Sequence, residues 1–470
     1  MRKEKVFTPP AGRSGNVSAL PVSRTGGIYE LSARKARSSS DISITEIQGR
    51  LRMAVYKNMW TYSLMIILML SCCGTEPRQG GSLSQPLKPL IFTAEPAPEW
   101  TALMERTSGW FGADGIFSIP LDGSEERQAE GKKTLFIFSD TYIGEVKDGV
   151  PQPGNVMVNN SIALMRGTMP DRDSVQFEFN RDPNGNPVSY FVPDNENSME
   201  GEYFWLGDGF VNRAKRNALY IFAYHVHKTG PNVFDFEATN VALLKIRDPA
   251  PEKINNYEQF ATPLGFVHPE HGRVYFGSGI MVNTIDAGAP FPDGYVYIYG
   301  IAEGRKSLVA ARTRPSKIER INAWRFWNGE EWVKGVENIA PITDGLSNEL
   351  SVTPTDDGRY LLTFTVMGIS DKIGIRVGDG PAGPFGEIHE VYTCPEYAEK
   401  GVLPYNAKAH YHLSAPDELL VSYNTITFDF WEDIQKDATI YHPRFIRVRY
   451  GQDQDFQNET RTTGQKIRKR

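Results

Sequence analysis

The chain has only three cysteines, Cys72, Cys73 and Cys394, in 470 residues. That is too few for a disulfide framework, and their spacing fits no metal-ligand pattern. No apolar run reaches the roughly 20 residues that a membrane-spanning helix needs; the longest candidate, Trp60–Leu70 (WTYSLMIILML), has eleven. An excess of positive charge is missing too. Lys and Arg number 51 against 57 Asp and Glu, a formal net charge of −6, which argues against a nucleic-acid partner, whose phosphates favour a basic face. Basic residues gather instead in the first fifty positions and in the closing GQKIRKR, and both stretches have the composition of disordered ends. Long helical periodicity is scarce, which removes the helical bundles. What the chain has in quantity is aromatic residues, Gly and Pro, the profile of an all-β domain with many turns.

A three-strand pattern returns five times. The second strand of each unit is a nearly continuous apolar run: Lys133–Tyr142, Asn217–His225, Tyr295–Ala302, Tyr360–Val366 and Glu418–Asn424. The leading strands are read at Trp110–Pro120, Tyr203–Asn212, Val274–Asn283, Asn348–Thr355 and Asn406–Ser414. The third strands fall at Asn160–Met165, Thr239–Ile246, Ser307–Arg312, Ile373–Val377 and Arg444–Tyr450. Outer strands are expected at Val175–Asn180, Gln259–Val267, Ala323–Val333 and Gly386–Cys394, with the early Pro89–Thr93 completing the fifth unit. Repetition of small antiparallel sheets predicts an all-β, five-bladed β-propeller over residues 89–450, the competing architecture being a large β-sandwich.

Upstream of the repeats lies a candidate export signal. Lys57, the apolar run and Ser71-Cys72-Cys73-Gly74 make a basic n-region, a short h-region and a small residue before cysteine. The ending resembles the lipobox of bacterial lipoproteins, with Cys72 as the lipidated residue. This implies an exported lipoprotein at the outer membrane or cell surface, touching the membrane through a lipid anchor alone. Residues 53–73 are then the signal peptide and 74–88 a Gly/Pro/Ser-rich tether. Residues 1–52 read as an extension upstream of the true start, and 451–470 as a polar tail.

In a propeller the innermost strands meet at one central channel. The leading strands offer Asp114, Asp208, Ser278, Glu349 and His410 at what the alignment makes equivalent places. Asp140 ends the second strand of the first unit, one hairpin away from Asp114. Neighbouring strands lie ~4.8 Å apart, so the two carboxylates are expected to face each other. Two carboxylates held close titrate apart, one protonated and one anionic. That is the division of labour in glycoside hydrolysis. Against this stands the common structural use of Asp in Gly-rich turns. Trp110, Tyr142 and Trp205 lie beside these acids and are read as sugar platforms, although aromatics in strands more often pack in a core. His410 and His412 alternate along one strand; no metal site follows from the pair, and His410 is expected to bond within the channel or to a ligand hydroxyl. No cofactor is indicated, and a structural Ca²⁺ is left open.

At these residues the chain resembles the five-bladed propeller glycoside hydrolases that act on furanosides. Gly112-Ala113-Asp114-Gly115 and Phe138-Ser139-Asp140-Thr141 are similar to the paired elements of the endo-D-arabinanases. That resemblance implies Asp114 as acid/base, Asp140 as nucleophile and an arabinan-like polysaccharide as substrate. Ser139 and Tyr142 depart from that pattern, where Gly and Phe are usual. The wider arabinanase and β-xylosidase clan implies a second scheme, with Asp114 as base, Asp208 tuning pKa and Glu349 as acid. The Asp-box of the sialidases is absent. A glycan-binding propeller without catalysis is the alternative from a different functional class.

Overall fold

The computed structural model describes residues 88–250 and 254–452. The upstream extension, the signal segment with Cys72, the tether as far as residue 87 and the tail beyond residue 452 lie outside the described residues.

The second strands are nearly continuous apolar runs because each sheet is covered on both faces. In the first sheet, Phe117–Pro120, Lys133–Phe138, Ser161–Arg166 and Val175–Glu178 pair antiparallel in that order. The second sheet orders Tyr203–Asn212, Ala218–Lys228, Phe236–Ile246 and Tyr257–Ala261. The third sheet contains Gly272–Asn283, Tyr295–Ala302, Ser307–Thr313 and Arg325–Trp327, extended by Gly265–His268 at one margin and Trp332–Val333 at the other. The fourth runs Ser351–Pro354, Tyr360–Thr365, Lys372–Gly378 and His389–Thr393. In the fifth, Leu403–Ala409, Glu418–Ile426 and Arg444–Gly451 are joined by Ile91–Pro96 from the start of the described chain.

Alternate residues of each second strand enter different cores, and this arranges the sheets in a ring. Phe136 and Phe138 pack with Leu420 and Phe445 of the fifth sheet, while Leu135 and Ile137 pack with Leu219 and Ile221 of the second. Tyr220 and Phe222 face Val296 and Ile298 of the third sheet. Tyr297 and Tyr299 face Leu362 and Phe364 of the fourth. Leu361 meets Leu419 and Val421 of the fifth, and the circuit closes. The fold is an all-β propeller, as the repeats predicted. A short helix, Pro98–Met104, buries Trp100, Leu103 and Met104 between the first and fifth sheets.

Four expectations about strand limits change. The run Trp110–Pro120 is two strands, Ser108–Ala113 and Phe117–Pro120, which belong to different sheets. The partner run breaks in step: Lys133–Phe138 stays in the first sheet, and Thr141–Lys147 pairs with Ser108–Ala113. The fifth leading strand is Leu403–Ala409 rather than Asn406–Ser414; His410 already caps a 3₁₀ turn. The segment Gln259–Val267 is divided between the second and third sheets.

The leading strands share one irregularity. Their register shifts between Leu206 and Gly209, between Phe276 and Gly279, and between Tyr405 and Lys408. The first unit breaks at Asp114–Ile116, and in the fourth Glu349 precedes the regular strand. Each bulge re-aims a side chain that an unbroken strand would keep on the sheet face. Gly277 makes the third bulge possible: its φ is +105°, and a Cβ there would stand 2.5 Å from Phe222 Cβ.

Candidate active site

The break in the first unit puts Asp114 and Asp140 opposite each other. Asp114 N donates to Asp140 O (3.1 Å), and Ser139 N donates to Asp114 O (2.9 Å). Gly115, at φ +60°, turns the chain directly against Ser139. Ser139 anchors the pair to the second sheet, since its Oγ accepts from Leu206 N at 3.0 Å. Both acids line a cavity of about 1030 Å³ together with Trp205, Tyr224, Ser278, Glu349, Tyr405 and Asn406. That volume is at the top of the ~300–1,000 Å³ range of small-molecule sites.

The two carboxyls are held differently. Asp140 Oδ1 accepts from Trp205 Nε1 (2.9 Å) and from Asn159 Nδ2 (3.1 Å). Asp114 Oδ2 accepts from the Tyr405 hydroxyl (2.8 Å), while its enclosed Oδ1 makes no hydrogen bond within the protein. Burial, then the neighbouring Asp140 and Glu349, push the Asp114 carboxyl up to about 8, against the opposing phenols of Tyr405 and Tyr441. Burial pushes Asp140 only to about 6, because Trp205, Asn159 and Lys228 favour its charged form. Two acids one hairpin apart are thus separated in titration, with Asp114 the protonated member near neutrality.

Glu349 lines the same cavity but is committed to a partner. The buried Lys408 ammonium pairs with it, and Asn406 Nδ2 donates to its Oε1 at 2.9 Å. Burial raises its pKa and Lys408 opposes that rise. Lys408 also stands 4.5 Å from the centroid of the Phe117 ring. Asp208 sits on its bulge but does not line the cavity. Its Oδ1 accepts from Gly209 N and its Oδ2 from Ile280 N, both at 2.7 Å, so it fastens the second sheet to the third. Burial pushes it up to about 7.

Three expected site residues are corrected. His410 is 2% exposed and lies away from the cavity. Its Nδ1 bonds Ser118 Oγ and its Nε2 bonds Ser422 Oγ, each at 2.8 Å, and burial lowers its pKa. The bulge, not the His-x-His alternation, sets the inward position of the fifth sheet, and Asn406 occupies it. Trp110 is a core residue: it stacks on Phe177 at 4.3 Å and donates from Nε1 to Ser161 Oγ. Tyr142 is likewise enclosed, between Phe111, Phe430 and Tyr441. Of the three aromatics, only Trp205 lines the cavity, with its ring edge-on to Phe236 at 4.5 Å.

Sequence reasoning missed Tyr405, Asn406, Lys408 and Asn159. A signal existed for Asn406, since Asn is among the few non-Gly residues that tolerate the left-handed region, where it sits at φ 55°. Among the described residues no cluster of three or more His, Cys, Asp or Glu side chains is placed to hold a metal ion.

The profile of a family described as "Domain of unknown function (DUF5005)" matches residues 98–456. No curated protein matches the sequence. Among solved structures, a protein of Bacteroides ovatus described provisionally as a hydrolase aligns with a TM-score of 0.59 and 18% identity, covering 76% of this chain and 90% of that one. An α-L-arabinofuranosidase from Podospora anserina in complex with cellotriose gives a TM-score of 0.38 and 10% identity over 74% of this chain and 98% of that one. An exo-β-1,3-galactanase from Phanerochaete chrysosporium with β-1,3-galactotriose gives 0.38 and 9%, over 73% and 62%. The first likeness speaks to fold alone, and the other two are too distant to carry an argument.

Proposed function

We propose, for a chain that belongs to the DUF5005 family, a glycoside hydrolase that cleaves a furanose-containing, arabinan-like polysaccharide with Asp114 and Asp140. The observation that carries this reading is the asymmetry of the pair. One hairpin holds both carboxyls on the cavity wall, with Asp114 pushed up to about 8 and Asp140 to about 6.

In the proposed reaction Asp114 is the general acid. Its carboxyl proton passes to the glycosidic oxygen as the bond to the anomeric carbon breaks. Asp140, ionised and fixed by Trp205 and Asn159, either attacks that carbon or takes a proton from the attacking water. The alternative scheme, with Glu349 as acid and Asp114 as base, fits less well. Lys408 favours the anionic form of Glu349, and Asp208 has both oxygens occupied by backbone donors. No cofactor enters the proposed steps.

The test is incubation of the purified protein with arabinans, arabinogalactans and xylans, followed by product analysis. Asp114→Asn and Asp140→Asn should each lower turnover by about 10²–10⁴-fold, with a cooperative thermal transition and glycan affinity retained. Wild-type protein that binds a glycan and releases no sugar from any of them would instead mark a binding module. Export and lipidation at Cys72 belong to the same proposal. Mass spectrometry of the native protein tests them, and any peptide from residues 1–52 would contradict them.

A further inference from the structure

The large cavity is not alone. A second, of about 600 Å³, lies beside it. Met157, Tyr203, Lys228 and Trp431 line both, so the two share one ridge. The second cavity also reaches the acid pair from behind, because Asn159 lines it while its amide holds Asp140 Oδ1 at 3.1 Å.

Resting on the glycosidase reading above, we propose that this second cavity is a further sugar subsite, and that the substrate is an extended glycan held on both sides of Asp140. The residue types suit a polyhydroxylated chain. Trp431 leaves 39% of its surface in solvent at the ridge, with the Lys228 ammonium 5.5 Å from its ring centroid. A large aromatic left bare on a ridge between two cavities is a surface that a ligand would cover. His227 lines the second cavity, and its enclosed Nδ1 has no hydrogen-bond partner. Once the ring turns toward the cavity, a sugar hydroxyl can donate to that nitrogen or accept from it, according to the tautomer. A chain threaded across the ridge would lie in a cavity on either side, with Asp140 on the wall of the larger one.

The experiment is calorimetric titration of the full chain with arabinan-derived oligosaccharides, from disaccharide to octasaccharide, with parallel assays of cleavage. Affinity should rise with chain length. Trp431→Ala should weaken the longest oligomers about tenfold, the loss growing with length, as expected for truncation of a central aromatic contact. Trp431→Phe should restore part of the loss, and His227→Ala should lower the same length-dependent increment. Affinity that is flat with length, an equal loss at every length in Trp431→Ala, or no binding at all would overturn the subsite. Failure of the glycosidase reading looks different: length-dependent binding by the wild type with no cleavage.

Discussion

A carboxyl group reports its surroundings through the pH at which it gives up its proton. Asp140 titrates near 6 and Asp114 near 8, so the form with one proton on Asp114 dominates between those limits. For the proposed hydrolysis, kcat/KM should climb as Asp140 ionises and fall as Asp114 deprotonates, giving a bell centred near neutrality. A profile that is flat from about pH 5 to about pH 9, roughly a unit on either side of the two values, would rule the pair out as acid and base. Stability should follow its own course. A raised carboxyl pKa means that the folded chain binds protons more tightly than the unfolded one. The stabilisation is therefore complete below the ordinary aspartate range and is lost as pH rises toward about 8. Asp114→Asn should raise the thermal midpoint more at alkaline pH than at pH 4, as read by scanning calorimetry at both pH values. His410 predicts the opposite pattern. With both nitrogens bonded inside the protein, His410→Ala should cost about 1–3 kcal/mol of stability, read as a lower denaturant midpoint. The pH profile of the proposed hydrolysis should not move.

Among the elements, the second strands were the most legible in the sequence and the leading strands the least. A second strand packs on both faces and so is written as an apolar run. Tyr295–Ala302 was read with its limits intact. A leading strand is interrupted by the bulge that makes it useful, and no period survives the interruption. In the fifth unit a regular strand would place His410 inward, but the register shift between Tyr405 and Lys408 gives that position to Asn406. The acids Asp114, Asp140 and Glu349 were visible because carboxylates among apolar residues are conspicuous. Their partners Asn159 and Tyr405 were not, because they come from the edge of the third strand and from a mis-registered leading strand. The hairpin break also has a testable centre in Gly115. A Cβ there would meet Ser139 Oγ at 2.6 Å, at a φ of +60°. Gly115→Ala should shift the Asp114–Asp140 pairing and lower kcat/KM by about tenfold or more. The thermal midpoint should fall by only the few degrees expected of about 1–2 kcal/mol of left-handed strain.

At the scale of the whole molecule, each sheet is a partner to two neighbours, so ring closure is the condition on which every core depends. Closure rests on Ile91–Pro96, whose six residues pair with Pro96 opposite Ile446 and Ile91 opposite Gly451, and on the Pro98–Met104 helix beside them. Deleting residues 88–97 leaves Arg444–Gly451 as an open edge. It should broaden or split the thermal unfolding transition and favour aggregation through that edge. A single sharp transition at the wild-type midpoint would show that closure is not what holds the ring.

That closing strand is made first and used last. During synthesis Ile91–Pro96 leaves the ribosome some 350 residues before its partner Arg444–Gly451 exists. Until then it waits unpaired while four sheets form without it. A chain cut short before Arg444–Gly451 is made cannot form this pairing, and its open edge should be more exposed to proteases. Pairing of this strand therefore waits until the chain is made through Gly451.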